Sequence, residues 1–365
     1  KCEIRSYKPT TKGNYVQVRR VMAALEEAEK PLICIGGGVF AAHAENEIRE
    51  LADLMQIPVI TTMMGISVFP DDDQLFCGMI GTHGVKMANA AVNECDVLFL
   101  VGARVGDRAV KTPLALEKTT KIIHIDIDPA EIGKNIGADL PLVGDAKLVL
   151  QQMMELAKPM KHDEWIAHIK TLGGERKYVE PAKGTVNPRV FIDRLAKKMP
   201  ANVTVVADVG QNQIWTCTEY KFRKEGRLLT SGGMGTMGYS VPAAIGAKMA
   251  DNSRATVAIC GDGAFQMSFM ELATAVQFGV DIKVVVMTNN RLGMVRELQT
   301  NGYHDRQTAV FLDGSPDFIK LAEAYGIPAM RVYDDDTMDK GVEMLAEHKG
   351  ICLVEVVVDK DMPTL

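Results

Sequence analysis

The sequence has no apolar run as long as the roughly 18–20 residues that a membrane span needs, and no signal-peptide pattern. Its seven cysteines form no C-x-x-C pair, and its seven histidines show no zinc-ligand spacing. These absences argue against a membrane protein and against a zinc site. The odd cysteine count, with several cysteines inside apolar strand-like runs, predicts reduced, buried thiols and a cytoplasmic protein.

No charge of one sign dominates either. The chain carries 41 Lys and Arg against 47 Asp and Glu, which gives a formal net charge of −6. Nothing in this balance favours nucleic acid or an anionic membrane as a partner. A length of 365 residues, of which 47% are hydrophobic, suits two domains of about 150–200 residues each.

Short apolar runs alternate with helix-like segments along almost the whole chain. This alternation predicts an α/β protein with two doubly wound, three-layer domains built on parallel sheets. We interpret the ranges as a linker at 1–14, a first domain at 15–158, a connector at 159–187 and a second domain at 188–365. Pro188 is well placed as the first residue of a helix.

One segment of the second domain reads as a complete βαβ unit. An apolar run at 255–260 leads into Gly261-Asp262-Gly263, a helix-like stretch follows, and a second apolar run at 282–287 leads into Asn289-Asn290. A right-handed crossover makes the two strands parallel, so both loops lie at the carboxyl edge of the sheet. Asp262 and Asn289 are therefore predicted to meet there.

The residues of these two loops suit a diphosphate held through Mg²⁺. This cation prefers oxygen ligands, and the Asp262 carboxylate, the Asn289 amide and the Arg291 backbone carbonyl are the candidates. Glycines let the main chain approach the phosphates, and a helix N-terminus points its N–H groups at them. The alternative is structural: a tight turn with Asp262 as helix cap, and an ordinary loop.

Two further stretches follow strands of the second domain. Gln211 and Asn212 lie just after a strand ending at Asp208, where they can reach a diphosphate or simply begin a helix. Met237 lies within a glycine cluster whose density permits close approach to a ligand. By itself a methionine is more often a core residue. The cluster comprises Gly232, Gly233, Gly235 and Gly238.

Together these motifs resemble a known enzyme family. The Gly-Asp-Gly to Asn-Asn spacing is similar to the thiamine diphosphate motif. The segments 208–213, 229–238 and 293–296 resemble those of the catalytic large subunits of acetohydroxyacid (acetolactate) synthases. The similarity extends over essentially the whole chain. The resemblance implies a transferase that decarboxylates pyruvate on thiamine diphosphate. The hydroxyethyl carbanion is then added to a second 2-ketoacid in branched-chain amino acid biosynthesis. It also implies a homodimer or higher oligomer and a possible small regulatory subunit.

The resemblance also assigns roles to residues. Met237 is expected to hold the cofactor bent, and Arg108, otherwise read as a surface group, to steer the carboxylate of the second 2-ketoacid. The family more often has His at the position of Asn212. Mg²⁺ would be held by Asp262, Asn289 and Arg291. The cofactor contacts would come from Gly210, Gln211, Asn212, Gly235, Met237, Asp262, Gly263, Ala264 and Met294.

The first domain resembles the flavin-binding domain of the same family. The stretches 79–84, 102–108 and 126–129 carry this resemblance, which implies a structural FAD. Val105-Gly106 departs from the pattern, because an aromatic residue and an acid are usual there. Gly36-Gly37-Gly38 after a strand is a weak nucleotide signal, and an ordinary turn explains it equally. The implied FAD contacts are His83, Arg104, Asp126 and Asp145.

Two departures bear on activity. Leu298 stands where biosynthetic members carry a Trp linked to preference for 2-ketobutyrate, so discrimination between acceptors is expected to weaken. Members activate the cofactor with a Glu of an N-terminal domain, and no Glu here, Glu271 included, has the matching motif. We therefore interpret the chain as a fragment lacking that pyrimidine-binding domain. It is predicted to bind the cofactor but to have negligible synthase activity alone.

Two alternatives remain at this stage. One is another thiamine diphosphate carboligase, a decarboxylase or a pyruvate oxidase of the same superfamily. The other, from a different class, is a non-catalytic nucleotide- or flavin-binding module, which would show no metal-dependent binding of thiamine diphosphate.

Overall fold

The computed structural model describes residues 8–174 and 178–365. The chain forms two compact units that divide near residue 175. Residues 1–7 of the predicted linker and 175–177 of the predicted connector lie outside the described residues. Each unit is an α/β domain built on one six-stranded sheet in which every strand pair is parallel. The predicted fold class is therefore confirmed.

The sheet of the first unit has the strand order β3-β2-β1-β4-β5-β6. The strands are β1 Pro31–Ile35, β2 Val59–Thr61, β3 Phe76–Met79, β4 Val97–Val101, β5 Lys121–Asp126 and β6 Leu140–Val143. The helices are α1 Tyr15–Glu27, α2 Gly38–Ala41, α3 Glu45–Met55, α4 Lys86–Glu94, α5 Pro113–Leu116, α6 Ala146–Met154 and α7 Asp163–Thr171, with a 3₁₀ turn at Met63–Gly65.

Both faces of this sheet are covered, which explains why its central strands are continuous apolar runs. Alternate residues point to opposite faces, so Ile33 and Phe99 pack in one hydrophobic cluster and Leu32 and Leu98 in another. Helices α1, α3 and α6 contribute to the first cluster, and α4 and α7 to the second. Every residue of β1 and β4 is buried.

The sheet of the second unit has the order β11-β12-β10-β9-β7-β8. The strands are β7 Thr204–Ala207, β8 Arg227–Thr230, β9 Thr256–Gly261, β10 Lys283–Thr288, β11 Ala329–Val332 and β12 Cys352–Val357. The helices are α8 Pro188–Lys198, α9 Gln211–Glu219, α10 Ser240–Ala250, α11 Asp262–Phe265, α12 Leu272–Gln277, α13 Gly293–Gly302, α14 Phe318–Ala324 and α15 Asp335–Glu347, with a 3₁₀ turn at Phe269–Glu271.

The structure differs from the sequence interpretation at a few elements. Strands β3 and β6 were not predicted, and helix α7 lies within the stretch 159–187 that was interpreted as a surface-running connector. Trp165 of α7 is buried, and its Nε1 donates to the Pro31 carbonyl at 3.0 Å. This helix therefore belongs to the core of the first unit rather than to a connector.

Two expectations from composition can be compared with the structure. The six cysteines within the described residues are all buried and free, and burial raises the pKa of the Cys34 thiol to about 12. No helix in the described parts of the chain is long and apolar enough to cross a membrane.

Candidate active site

The candidate site lies at the carboxyl edge of the sheet in the second unit. After β7 the chain forms β8 on one side of β7 and then returns to form β9 on the other side, so the strand order reverses between β7 and β9. Such a reversal splays the two following loops apart and leaves a crevice between them. The loops that follow β7, β9 and β10 all line one cleft here.

Asp262 and Asn289 meet in this cleft, as predicted from the βαβ unit. Strands β9 and β10 are paired in register, with Met287 opposite Gly261, so Asp262 directly after β9 and Asn289 directly after β10 reach the same edge. The N–H groups of Asn289 and Asn290 donate to Asp262 Oδ2 at 3.1 and 2.6 Å. The N–H of Gly263 donates to Oδ1 at 2.8 Å.

Burial sets the protonation behaviour of Asp262. The side chain is almost completely buried, and the loss of hydration raises the pKa of its carboxyl to about 6. The three backbone N–H donors oppose this rise, because they stabilise the charged form. A divalent cation would do the same more strongly, since a carboxylate ligand must be deprotonated.

The donor set fits a hard divalent cation. An ionised carboxylate offers about four lone-pair positions, so Asp262 retains acceptor capacity beyond its three N–H donors. Asn289 Oδ1 accepts one bond, from the Arg291 N–H at 3.1 Å, and has a second lone pair. Within the described residues no cluster of three His, Cys, Asp or Glu side chains occurs that would suit a transition metal instead.

A second buried aspartate fixes the loop that carries Met237. Asp208, fully buried at the end of β7, accepts from the N–H of Gly238 at 3.0 Å and of Ser240 at 2.8 Å. It also accepts from the Val209 N–H at 2.9 Å. These bonds tie the glycine-rich loop after β8 to the end of β7, and Met237 lines the cleft as a result.

The comparisons with known proteins agree with this arrangement. Residues 208–356 match the thiamine pyrophosphate enzyme C-terminal TPP binding domain, and residues 18–153 match the thiamine pyrophosphate enzyme central domain. The chain belongs to the thiamine pyrophosphate enzymes. All of the strand-end loops described above fall within the first of these two matches.

Relatives that match this chain are named as acetolactate synthases. The chain is 39% identical to the probable acetolactate synthase large subunit of Methanocaldococcus jannaschii, over 98% of the chain and 62% of that protein. It is 34% identical to the acetolactate synthase isozyme 3 large subunit of Escherichia coli, over 98% of the chain and 64% of that protein. The chain thus spans less than two thirds of the length of these relatives.

The structure brings most of the cofactor residues predicted for the second unit to one cleft. Its lining includes Gly210, Gln211, Asn212, Met237, Asp262, Gly263, Ala264, Asn289, Arg291 and Met294. Gly235 lies in the loop after β8 but is not among the lining residues. The Nδ2 of Asn212 is bonded to the carbonyls of Asp208 and Ile259 at 2.8 and 3.3 Å, so this nitrogen ties β7 to β9.

Residues predicted for the first unit lie at the carboxyl edge of its own sheet. His83, Arg104 and Asp126 follow β3, β4 and β5 or end them. Arg108 is exposed, and its carbonyl accepts from the Thr82 N–H at 2.8 Å, so two of these loops touch. Asp145 caps α6 by accepting from the Leu148 N–H at 3.1 Å, which gives it a structural role.

Sequence reasoning missed two residues around the site. Asp208 was noted only as a strand end, although an acid at that position with glycine-rich backbone nearby could have suggested an anchor. Nothing in the sequence indicated a role for Glu297, because its partners Gln211 and Thr364 are remote in sequence. Leu298, one residue further along α13, is 62% exposed.

Proposed function

We propose that the whole protein is a thiamine diphosphate-dependent acetolactate synthase that uses Mg²⁺. The main support for this proposal is that Asp262 and Asn289 lie side by side in the lining of the cleft. Their carboxylate and amide oxygens are the kind of ligands that Mg²⁺ prefers. The names of relatives that match the chain over almost its whole length support the reaction class. The substrates would be pyruvate and a second 2-ketoacid.

The residues of this chain would hold and orient the cofactor. Asp262, Asn289 and the Arg291 carbonyl would ligate the cation, and Gln211 would face the diphosphate. Thiamine diphosphate, when bound, supplies a stabilised carbanion for decarboxylation and carbon–carbon bond formation. Met237 would support the bent cofactor, and the apolar cleft residues around it would limit access of water.

Products formed by the full-length protein test this proposal. With Mg²⁺, thiamine diphosphate and pyruvate, we expect acetolactate, and acetohydroxybutyrate when 2-ketobutyrate is added. The Asp262→Ala variant, prepared identically, should form neither product above background. Acetaldehyde or acetate as the main product would instead assign the protein to the decarboxylases or pyruvate oxidases. The 365-residue chain alone is predicted to be inactive.

We also propose that the first unit holds FAD. Its strand order 3-2-1-4-5-6 reverses between β1 and β4, and this reversal places Gly36–Gly38 beside Gly102 at the carboxyl edge. Dinucleotides bind at such a point in doubly wound sheets. Flavin absorption bands in the purified full-length protein would support this proposal, and their absence after reconstitution with FAD would contradict it.

The proposed assembly is a homodimer or higher oligomer, with a small regulatory subunit as a further partner. Exposed apolar side chains on α10, in the stretch before α12, and on α12 and at its end support association, since large exposed apolar groups often mark an interface. They are Met249, Met267, Met270, Val276 and Phe278. Light scattering on the full-length protein would test this, and a monomer at micromolar concentration would contradict it.

A further inference from the structure

Helix α13 and the C-terminal segment Met362–Thr364 meet beside the candidate cation site. Glu297 of α13 accepts from the Thr364 N–H, with Oε2 at 3.0 Å, and from the Thr364 hydroxyl. The same Oε2 accepts from Gln211 Nε2 at 3.1 Å. Met362 and Thr364 are both buried, at 3% exposure each, so this segment is a packed part of the second unit.

This contact fixes which way the Gln211 carboxamide points. Its nitrogen faces three acceptors, which are Glu297 Oε2, the Met362 carbonyl at 2.9 Å and Thr364 Oγ1 at 3.2 Å. With the nitrogen held on that side, Oε1 must face the opposite way. It accepts there from Asn289 Nδ2 at 3.3 Å.

The orientation of Gln211 in turn selects the orientation of Asn289. Because Nδ2 is directed at Gln211, Asn289 presents Oδ1 on the other side, where it accepts from the Arg291 N–H at 3.1 Å. A flipped Asn289 amide would place two donors where a cation needs an oxygen. The acceptors around the Gln211 nitrogen, Glu297 among them, therefore determine through Gln211 which atom of Asn289 is available to a cation.

The start of α13 packs closely against Gln211 and Asn289. A Cβ at Gly293, the first residue of α13, would lie 1.9 Å from Gln211 Oε1 and 3.1 Å from Asn289 Nδ2. The chain thus keeps a glycine where the two carboxamides and the helix start approach one another. Close packing of this kind holds the two side chains in place, and their hydrogen bonds decide which carboxamide atom faces which way.

We propose that Glu297 is a positioning residue for the cation–diphosphate site, acting through Gln211 on Asn289, with Met362–Thr364 holding Glu297 in place. This inference rests on the proposed function of the same site. It assigns a role to the C-terminal segment as well, since Thr364 bonds to both Glu297 and Gln211. Partners that orient a metal ligand in this way are commonly worth tenfold or more in metal affinity.

The test measures how much Mg²⁺ the 365-residue chain needs in order to bind thiamine diphosphate. Calorimetric titrations with the cofactor, repeated at a series of Mg²⁺ concentrations, give the Mg²⁺ concentration for half-maximal binding. For Glu297→Ala we expect this midpoint to rise roughly tenfold or more. Glu297→Gln retains an acceptor oxygen, so it should restore the midpoint to within a few-fold of wild type.

Thr364→Val provides a second route to the same contact and is conservative in shape. It should raise the Mg²⁺ midpoint in the same direction, and the Glu297→Ala/Thr364→Val double variant should show less than the sum of the two effects. Glu343→Ala, the same substitution at an exposed position of α15, is the matched control and should leave the midpoint unchanged.

The outcomes separate this inference from the proposed function. If the wild-type chain shows no Mg²⁺-dependent binding, the proposed function of the site is contradicted. If the wild type binds as expected but Glu297→Ala and Thr364→Val keep the wild-type midpoint, only the positioning role is overturned. A purely structural role of Glu297 would reduce the fraction of competent protein without moving the Mg²⁺ midpoint.

Discussion

Two buried aspartates, Asp208 and Asp262, organise the site at the level of single residues. Each accepts three backbone N–H groups, and each ties together loops that follow different strands. Backbone donors stabilise the charged form of a buried carboxylate without any paired cation. The two side chains therefore fix the positions of the loops that they join, and Asp262 also lines the cleft.

Replacing Asp208 with Asn should destabilise the second unit and loosen the Met237 loop. An amide can present only one oxygen, so at least one of the Gly238 and Ser240 N–H groups would face a donor. We expect the unfolding free energy to fall by roughly 1–3 kcal/mol, measured by denaturant titration. Asp193→Asn, which removes an exposed pair with Lys197, is the control and should change it by less than about 0.5 kcal/mol. Equal effects would argue against the anchoring role.

His124 of β5 should make the stability of the first unit depend on pH. It is 1% exposed, and this burial lowers the pKa of its ring. The charge of Asp126, a backbone hydrogen bond at Ala103 and the charge of Glu131 oppose this shift, because each favours the protonated ring. The folded state therefore binds its proton at lower pH than the unfolded chain, whose histidines titrate near about 6.5.

It follows that the stabilising effect of a neutral His124 is complete above pH ~6.5 and is lost as the pH falls below it. His124→Leu should flatten the decline in unfolding free energy as the pH falls below about 6.5. His43→Asn is a suitable control, because His43 is exposed and asparagine tolerates its φ of 52°. An unchanged pH dependence in His124→Leu would contradict this explanation.

At the level of elements, the ends of β1 and β4 approach each other unusually closely. A Cβ on Gly36 would lie 2.1 Å from the Gly102 carbonyl oxygen and 2.5 Å from Ala103 Cα. These are backbone atoms of a neighbouring strand end, so the clash cannot be relieved by rotating a side chain. The glycine is required here because two loops cross at the point where the sheet reverses its strand order.

Gly36→Ala should therefore destabilise the first unit by about 2 kcal/mol or more, measured by denaturant or thermal unfolding. Gly106→Ala makes the same chemical change where no atom lies within 4 Å of the added Cβ. That control should have an effect near zero. If both variants unfold at the same denaturant concentration, the close approach of the two loops is not as described.

The same elements show how far the sequence could predict the fold and the site. Strands such as β1, β4 and β10 were predictable, because burial on both faces leaves continuous apolar runs. Strands β3 and β6 are four residues long, include a glycine or a proline, and carry only partly buried patterns, so no periodicity marks them. The meeting of Asp262 and Asn289 followed from βαβ handedness, whereas Glu297 with Gln211 and Thr364 depends on tertiary packing alone.

At the scale of the whole molecule, the two units have separate hydrophobic cores. The clusters around Phe99 and Leu98 belong to the first unit, and the cluster around Phe265 and Val284 belongs to the second. Two cores in one chain make a single two-state unfolding transition an unsafe assumption.

Scanning calorimetry should resolve this organisation. Mg²⁺ and thiamine diphosphate should raise the midpoint of the transition that belongs to residues 178–365. A ligand at 100 times its dissociation constant adds about 2.7 kcal/mol to that transition. Gly36→Ala should lower the other midpoint. A single transition whose midpoint is moved both by the ligands and by Gly36→Ala would contradict independent unfolding of the two units.

The central claim is that Asp262 and Asn289 together hold the cation that anchors thiamine diphosphate. Titration calorimetry of the 365-residue chain with the cofactor, in Mg²⁺ and then in excess chelator, tests it most directly. We predict saturable binding in Mg²⁺, loss of binding in chelator, and loss in Asp262→Ala and Asn289→Ala but not in the Asp193→Asn control, whose partly buried side chain pairs with Lys197 at the surface. Equal binding with and without Mg²⁺, or unchanged binding by both site variants, would contradict the claim.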